Sequence, residues 1–372
     1  MLNRLPPLLQ ALLAIVAGTA ALVGCTPQPD RETPVGRTTV VTVDDNRPAW
    51  GIDGGRPIVI TIWYPAASDS RETQWQIGIF NAGWTSIGAE LADSAQRLPL
   101  VVLSHGTGGA ALQLSWLAES LATNGYVVAA VNHHGNTAAE PVYQAQGFFL
   151  WWERAQDVSI AIDTVLDLGQ FGHRIDPTRI GVGGFSLGGF TSLLTAGALV
   201  DRPQWVAFCR QHPNDAACAL PPEAPFTQQD IEQLVAADEA VIASLQTAGR
   251  SRRDTRVRAA YAIAPVLAPA LTIGSLNAID IPVRIVVGRH DNQAQPATNA
   301  RPLHAAMPSS TLLELPGVGH YTFLANCTLR GRWLVADLCK DLGDVDRHEI
   351  HAQVAADALV FFRQHLRAEA QP

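Results

Sequence analysis

Apolar and polar positions follow two different rhythms along the chain. Two early runs, Thr38-Thr39-Val40-Val41-Thr42-Val43 and Ile58-Val59-Ile60-Thr61-Ile62-Trp63-Tyr64, are rich in β-branched residues and read as strands, the second stopped by Pro65. Beyond them a strand–loop–helix unit repeats. Short apolar runs at residues 98–104, 126–131, 180–185, 257–264, 283–287 and 311–315 predict strands. Helical periodicity predicts helices over 110–123, 153–168, 187–199, 303–307 and about 345–367. Uninterrupted apolar strands alternating with helices imply an α/β protein with a mostly parallel central sheet and helices on both faces. The two early strands would extend that sheet with antiparallel partners. Residues 201–256 break the alternation. They hold Cys209, Cys218, a proline cluster (Pro221, Pro222, Pro225) and a charged helix predicted over 228–247, and they read as an inserted cap.

The first 25 residues stand outside this pattern. Arg4 gives a short positive start, residues 8–23 are apolar except for Gln10 and small residues, and the run ends in Leu22-Val23-Gly24-Cys25. This is the grammar of a secretory signal, and it is short for a membrane-spanning helix. The last four residues match a lipobox, which makes Cys25 a candidate for lipidation. An ordinary cleaved signal with an incidental cysteine is the alternative. Residues 26–36 are polar and proline-rich and read as a flexible tether. The expected location is therefore the periplasm or cell envelope, with a membrane contact only through a possible lipid anchor.

Export changes how the remaining cysteines are read. Setting Cys25 aside leaves Cys209, Cys218, Cys327 and Cys339, an even number in an oxidising compartment. Three pairings are possible, and the local ones, Cys209–Cys218 and Cys327–Cys339, are favoured because each closes a short loop. No Cys-x-x-Cys pair is present to suggest structural zinc. The chain has 372 residues, 47% of them hydrophobic, enough for a large buried core, and its formal charge of −8 lacks the basic stripe that nucleic acid requires.

The strongest chemical signal is Gly184-Phe185-Ser186-Leu187-Gly188, running on into Gly189, between a predicted strand and a predicted helix. Glycines two residues either side of a serine allow a tight strand-to-helix turn that thrusts the hydroxyl out above the sheet. Ser186 is thus the expected nucleophile, and a serine hydroxyl needs a base. His320 follows the last predicted strand on a Gly-Val-Gly loop and fits that role. Asp291 follows the strand at 283–287 and fits the acid that orients the histidine, whereas Asp280 lies at the wrong end of that strand. The glycine-rich turn His105-Gly106-Thr107-Gly108-Gly109 supplies backbone N–H groups. Leu187 and Thr107 are the expected oxyanion donors, and His105 is expected to hold the loop.

The loop at 132–149 leaves a strand at its carboxyl end, where ligands of parallel sheets bind. His133, His134, Phe148 and Phe149 are therefore candidate substrate-binding residues. Trp151 and Trp152 are expected to seat the following helix. An adjacent histidine pair rarely converges on a metal, so none is assigned, and no cofactor is implied. Arg250, Arg252 and Arg253 read as a solvated surface.

With these residues in view, the chain resembles α/β-hydrolases of the dienelactone-hydrolase-related group, which includes platelet-activating-factor acetylhydrolase-like enzymes. The resemblance is carried by Trp63-Tyr64-Pro65, Ser104-His105-Gly106, Asn132-His133-His134-Gly135-Asn136, Asp157-Val158-Ser159, Gly184 to Gly189 and Gly319-His320. It implies the α/β-hydrolase fold over residues 37–372 and agrees with the order serine, aspartate, histidine. Two departures limit what carries over. The acetylhydrolases of animals take their acid from one strand earlier, where Pro265-Val266-Leu267-Ala268 offers no carboxylate. The dienelactone hydrolases proper use a cysteine nucleophile. The expected activity is hydrolysis of a small carboxylic ester through an acyl-enzyme. An amidase, a peptidase or an acyltransferase would use the same three residues, and a non-catalytic surface binding lipoprotein would have kept only the fold.

Overall fold

The strand series is β1 (Val35–Pro48), β2 (Gly55–Pro65), β3 (Thr73–Ile77), β4 (Phe80–Ile87), β5 (Leu98–Ser104), β6 (Val127–Asn132), β7 (Ile175–Phe185), β8 (Val257–Ile263), β9 (Val283–Gly288), β10 (Ser310–Leu315) and β11 (Asn326–Cys327). The computed structural model describes residue 29 and residues 31–367. The strands form one sheet in the order β10-β9-β8-β7-β5-β6-β2-β1-β4-β11, with β3 paired to β4 off that path. From β10 to β6 every pairing is parallel, and β2 and β1 extend the sheet antiparallel.

The continuous apolar runs are central strands buried on both faces: every residue of β5 and of β6 is buried. Side chains alternate between two cores, as the period of a strand requires. Leu100 and Val102 of β5 pack on one face with helices α2 (Arg154–Asp167) and α3 (Leu187–Ala196). Val101 and Leu103 pack on the other, with α1 (Ser115–Thr123) and the C-terminal helix (Arg347–His365). The loops after β5, β7, β9 and β10 all leave the same edge, so four distant stretches of chain meet there.

Several expectations are adjusted. The helix predicted over 228–247 is two helices, Gln228–Ala237 and Glu239–Gln246, because Asp238 caps the second by accepting from the N–H groups of Ala240 and Val241. The helix predicted from residue 110 opens with a 3-10 turn, Ala111–Leu114. The hairpin β3–β4 is an addition, since Gln74, Gln76 and Asn81 interrupt any apolar run there. Residues 31–36 are not a free tether. The Arg31 guanidinium binds Glu72, Val35 N–H donates to Glu72 Oε1 at 2.7 Å, and β1 already begins at Val35. The expected signal at 1–25 with Cys25, and residues 26–28 and 30 of the tether, lie outside the described residues. Disulfides join Cys209 to Cys218 and Cys327 to Cys339, the two local pairs. No helix among the described residues is long and apolar enough to cross a membrane.

Candidate active site

Ser186 stands between β7 and α3 with φ 56° and ψ −117°, a positive φ that a residue with a side chain adopts only when its surroundings impose it. The surroundings do so in two ways. Ser186 N–H donates to Ile263 O at 2.8 Å, which fastens the turn to β8. The flanking glycines leave room for the turn to close: a Cβ on Gly184 would lie 2.3 Å from Gly188 O, and one on Gly188 would lie 1.8 Å from Ser104 O. The sequence motif is therefore a packing requirement as well as a conformational one.

His320 and Asp291 arrive on the loops after β10 and β9. His320 Nε2 is 3.0 Å from Ser186 Oγ, and His320 Nδ1 is 2.7 Å from Asp291 Oδ2. All three residues are buried. Asp291 Oδ1 accepts from the N–H groups of Gln293 and Ala294 at 2.9 and 2.6 Å, which leaves Oδ2 for the histidine. A carboxylate at Nδ1 selects the tautomer protonated there, so Nε2 is the acceptor that faces the serine hydroxyl. The Phe185 ring packs beside the imidazole, 4.7 Å between centroids and tilted 39° to it.

The turn after β5 is held from several sides. Gly106 N–H donates to Gln113 Oε1 at 3.0 Å and Gly108 N–H to Asn136 Oδ1 at 2.5 Å. Gly108 O accepts from the Tyr143 hydroxyl at 2.7 Å, and His105 O accepts from Arg154 Nη2. Between these anchored residues, Thr107 N–H donates to no described protein group, and neither does Leu187 N–H at the start of α3. Two free backbone donors beside a serine hydroxyl can stabilise an oxyanion that forms on a carbonyl attacked by that hydroxyl.

His133 and His134 do not line a substrate cavity, contrary to the sequence expectation. His133 is buried behind the glycine-rich turn, with Nδ1 2.8 Å from Asp157 Oδ2 and Nε2 2.8 Å from Ser104 Oγ. Burial, together with the Arg154 charge, pushes its pKa down to about 4, so it is neutral at neutral pH. Burial alone would raise the Asp157 carboxyl, but Arg47, His133 and Arg56 together hold it well below the usual carboxylate range. His134 accepts from Trp50 N–H at Nε2, binds Glu140 at Nδ1 and stacks on the Trp50 ring. Both histidines leave β6 pointing into packed structure, where loop anchoring uses up their nitrogens. His105 also holds the loop, accepting His133 N–H at 3.2 Å.

A cavity of about 1170 Å³, mostly apolar, opens above Ser186 and His320. Phe148, Phe149, Thr107 and Leu187 line it, as does Trp151, while Trp152 is fully buried and donates its Nε1–H to Ser244 Oγ at 2.9 Å. The inserted segment contributes much of the wall, with Arg202, Trp205, Glu223 and Phe226 among its residues. The sequence reading did not single out these four; the proline cluster marked the segment but not the face it presents. Arg250, Arg252 and Arg253 do not line the cavity, and Arg253 pairs with Asp280 at the surface. Among the described residues no cluster of three His, Cys, Asp or Glu side chains is placed to hold a metal.

The family model of platelet-activating factor acetylhydrolase, isoform II, matches residues 74–148, and that of the prolyl oligopeptidase family matches residues 112–207. No curated protein sequence matches the chain. A solved ferulic acid esterase from Streptomyces cinnamoneus is similar in structure, with a TM-score of 0.57 and 21% identity over 92% of this chain and 93% of that one. That likeness speaks to the fold.

Proposed function

We propose that this chain, a serine hydrolase of the α/β-hydrolase fold similar to platelet-activating-factor acetylhydrolases, cleaves carboxylic esters of small molecules through an acyl-enzyme on Ser186. The observation that carries the reading is the 3.0 Å approach of His320 Nε2 to Ser186 Oγ, in a cavity where Thr107 and Leu187 N–H have no partner among the described residues. His320 Nε2 takes the Ser186 proton as Oγ bonds to the ester carbonyl carbon. Charge moves onto the carbonyl oxygen, which the two N–H groups hold, each contributing roughly 3–4 kcal/mol to the transition state. Asp291 steadies the imidazolium. The tetrahedral species collapses, the C–O bond to the alcohol breaks, and His320 returns the proton to the leaving oxygen. Water, deprotonated by His320, then attacks the acyl carbon; the bond to Oγ breaks, His320 returns the proton to Ser186, and the acid leaves. Residues 201–256 act as a cap, a role supported by the many residues between 202 and 236 that line the cavity.

The match of residues 112–207 to the prolyl oligopeptidase family favours a second reading, an amidase or peptidase on the same three residues. Parallel assays of p-nitrophenyl esters, from acetate to decanoate, and of matching p-nitroanilides separate the two. Ester turnover with a chain-length optimum, and anilide turnover slower by orders of magnitude, is the expected result. Anilide turnover equal to or above that of the esters would replace the ester reading with the second.

The paired cysteines fit an oxidising compartment. We place the protein in the periplasm or cell envelope, exported by residues 1–25 and lipidated at Cys25. Metabolic labelling with a clickable palmitate, lost in Cys25→Ser, tests the anchor.

A further inference from the structure

Arg202 is the one lysine or arginine among the described residues that line the cavity. It opens the helix Arg202–Gln211 of the inserted segment. Its guanidinium carbon lies 5.1 Å from the centre of the Phe149 ring and 5.9 Å from that of Trp152. No described residue forms a hydrogen bond or an ion pair with it, and its Nε is buried without a partner. Arg154, fully buried, also lacks an ion pair among the described residues but donates to Ser104 Oγ and His105 O, and three further buried arginines have acids. Arg47 binds Asp44, Glu153 and Asp157, Arg56 binds Glu153, and Arg347 binds Asp341.

Acids of the same segment hydrogen-bond elsewhere, and none pairs with Arg202 among the described residues. Asp201 caps the helix by accepting Gln204 N–H at 2.8 Å, and Glu223 accepts the Tyr321 hydroxyl. Glu232 accepts from Gln228. Burial alone acts on the Arg202 guanidinium, lowering its pKa with no opposing acid, and an arginine so treated still carries its charge. A cation partly removed from water without a counter-ion is costly, and the cost is recovered when an anion arrives. The fork of a guanidinium matches the paired oxygens of a carboxylate or phosphate. The same lobe of the cavity carries Trp205 and Trp151, packed edge to face at 5.0 Å, which would cover the apolar spacer leading to such a group.

We propose that Arg202 binds an oxyanion, a carboxylate or a phosphate, carried by the substrate on a part other than the scissile ester group. The proposal rests on the ester-hydrolase reading and narrows the substrate to anionic esters. The test compares mono-p-nitrophenyl esters of dicarboxylic acids, from succinate to sebacate, with neutral p-nitrophenyl alkanoates of matched length. A parallel set ends in a phosphonate, which separates the two oxyanions. The quantity read is the ratio of kcat/KM for the anionic ester to that for the neutral one. Wild type should show a maximum in this ratio at one spacer length. Arg202→Gln should lower that maximum about tenfold or more, Arg202→Glu further, and Arg202→Lys should retain part of it. A ratio in Arg202→Gln within about twofold of wild type would overturn the proposal.

A second measurement needs no turnover and no substitution at Arg202. In Ser186→Ala protein, the matching free dicarboxylate should quench tryptophan fluorescence saturably, more weakly as salt rises, whereas the alcohol of equal length should not compete with it. If wild type cleaves no ester yet this binding appears, the ester reading fails and the anion site stands. If esters are cleaved but the dicarboxylate and the alcohol bind alike, the anion site fails and the ester reading stands.

Discussion

The Tyr321 hydroxyl donates a hydrogen bond to Glu223 Oε1 across 2.7 Å, joining the residue beside His320 to the inserted segment that lines the cavity. Burial and the Glu223 charge both raise the Tyr321 phenol, so it remains a donor throughout the working pH range. Tyr321→Phe removes the tie without changing the ring. It should lower kcat/KM for long-chain esters several-fold, on the scale of one hydrogen bond to a charged acceptor. It should also open residues 201–256 to limited proteolysis. A variant with wild-type protease resistance and wild-type kinetics would show that the contact does not hold the segment.

Asn136 bears on the glycine-rich turn from outside the cavity. Its Oδ1 accepts Gly108 N–H, and its Nδ2 donates to Gly147 O at 2.9 Å, so it spans two loops. Asn136→Ala frees the peptide next to Thr107 and should lower kcat about tenfold while KM stays near wild type, because the donor acts on the transition state more than on bound ester. Asn136→Asp keeps the acceptor and should recover part of the loss. A change confined to KM would count against an oxyanion role for this turn.

Asp291 differs from the other acids around the site in that one oxygen is given to backbone N–H groups and the other to His320. Asp291→Asn presents an amide of the same shape, which can donate to Nδ1 and select the wrong imidazole tautomer. The expected fall in kcat is about 10³- to 10⁴-fold at neutral pH. A fall below about tenfold would reassign the acid.

Much of the scaffold was legible because it rests on local rules. An apolar run bounded by turn residues marked β5, and the glycine spacing around Ser186 marked the strand-to-helix turn, both readable within a few residues. The loops carrying Asp291 and His320 were legible from their order after strands, and the structure brings both to Ser186. What escaped depends on contacts between distant residues. Nothing in Asn132-His133-His134 says that His133 will be drawn inward by Asp157, 24 positions away, instead of facing a substrate. The same is true of the inserted segment, where periodicity showed helices but not that Trp205 and Glu223 would turn toward the cavity. The anchoring of Arg31 by Glu72 overrides a proline-rich composition that reads as loose chain.

Stability should fall on mild acidification, through histidines buried in the neutral form. Burial, reinforced by the Arg347 charge, pushes His351 down to about 3; its ring stacks on Trp116 at 4.2 Å and its Nε2 holds Thr322 O, within the turn that carries His320. His133 lies at about 4. Both folded pKa values are below that of an unfolded histidine, near 6.5. The stabilising contribution is therefore complete above about pH 6.5 and is lost as pH falls toward about 4 for His133 and about 3 for His351. In that window each group costs about 1.4 kcal/mol per pH unit. Urea unfolding at pH 7 and pH 5 should show the drop, and His351→Gln should reduce the difference by about 2 kcal/mol. A His351→Gln variant with the full pH difference would remove His351 from the account.

Covalent capture decides whether Ser186 is the nucleophile. Wild type and Ser186→Ala are exposed to a fluorophosphonate, and the modified peptide is located by mass spectrometry. A single stoichiometric adduct on Ser186 is expected, absent from Ser186→Ala and slowed by orders of magnitude in His320→Gln. An adduct on another serine, or none in a folded wild type that cleaves esters, would contradict that role.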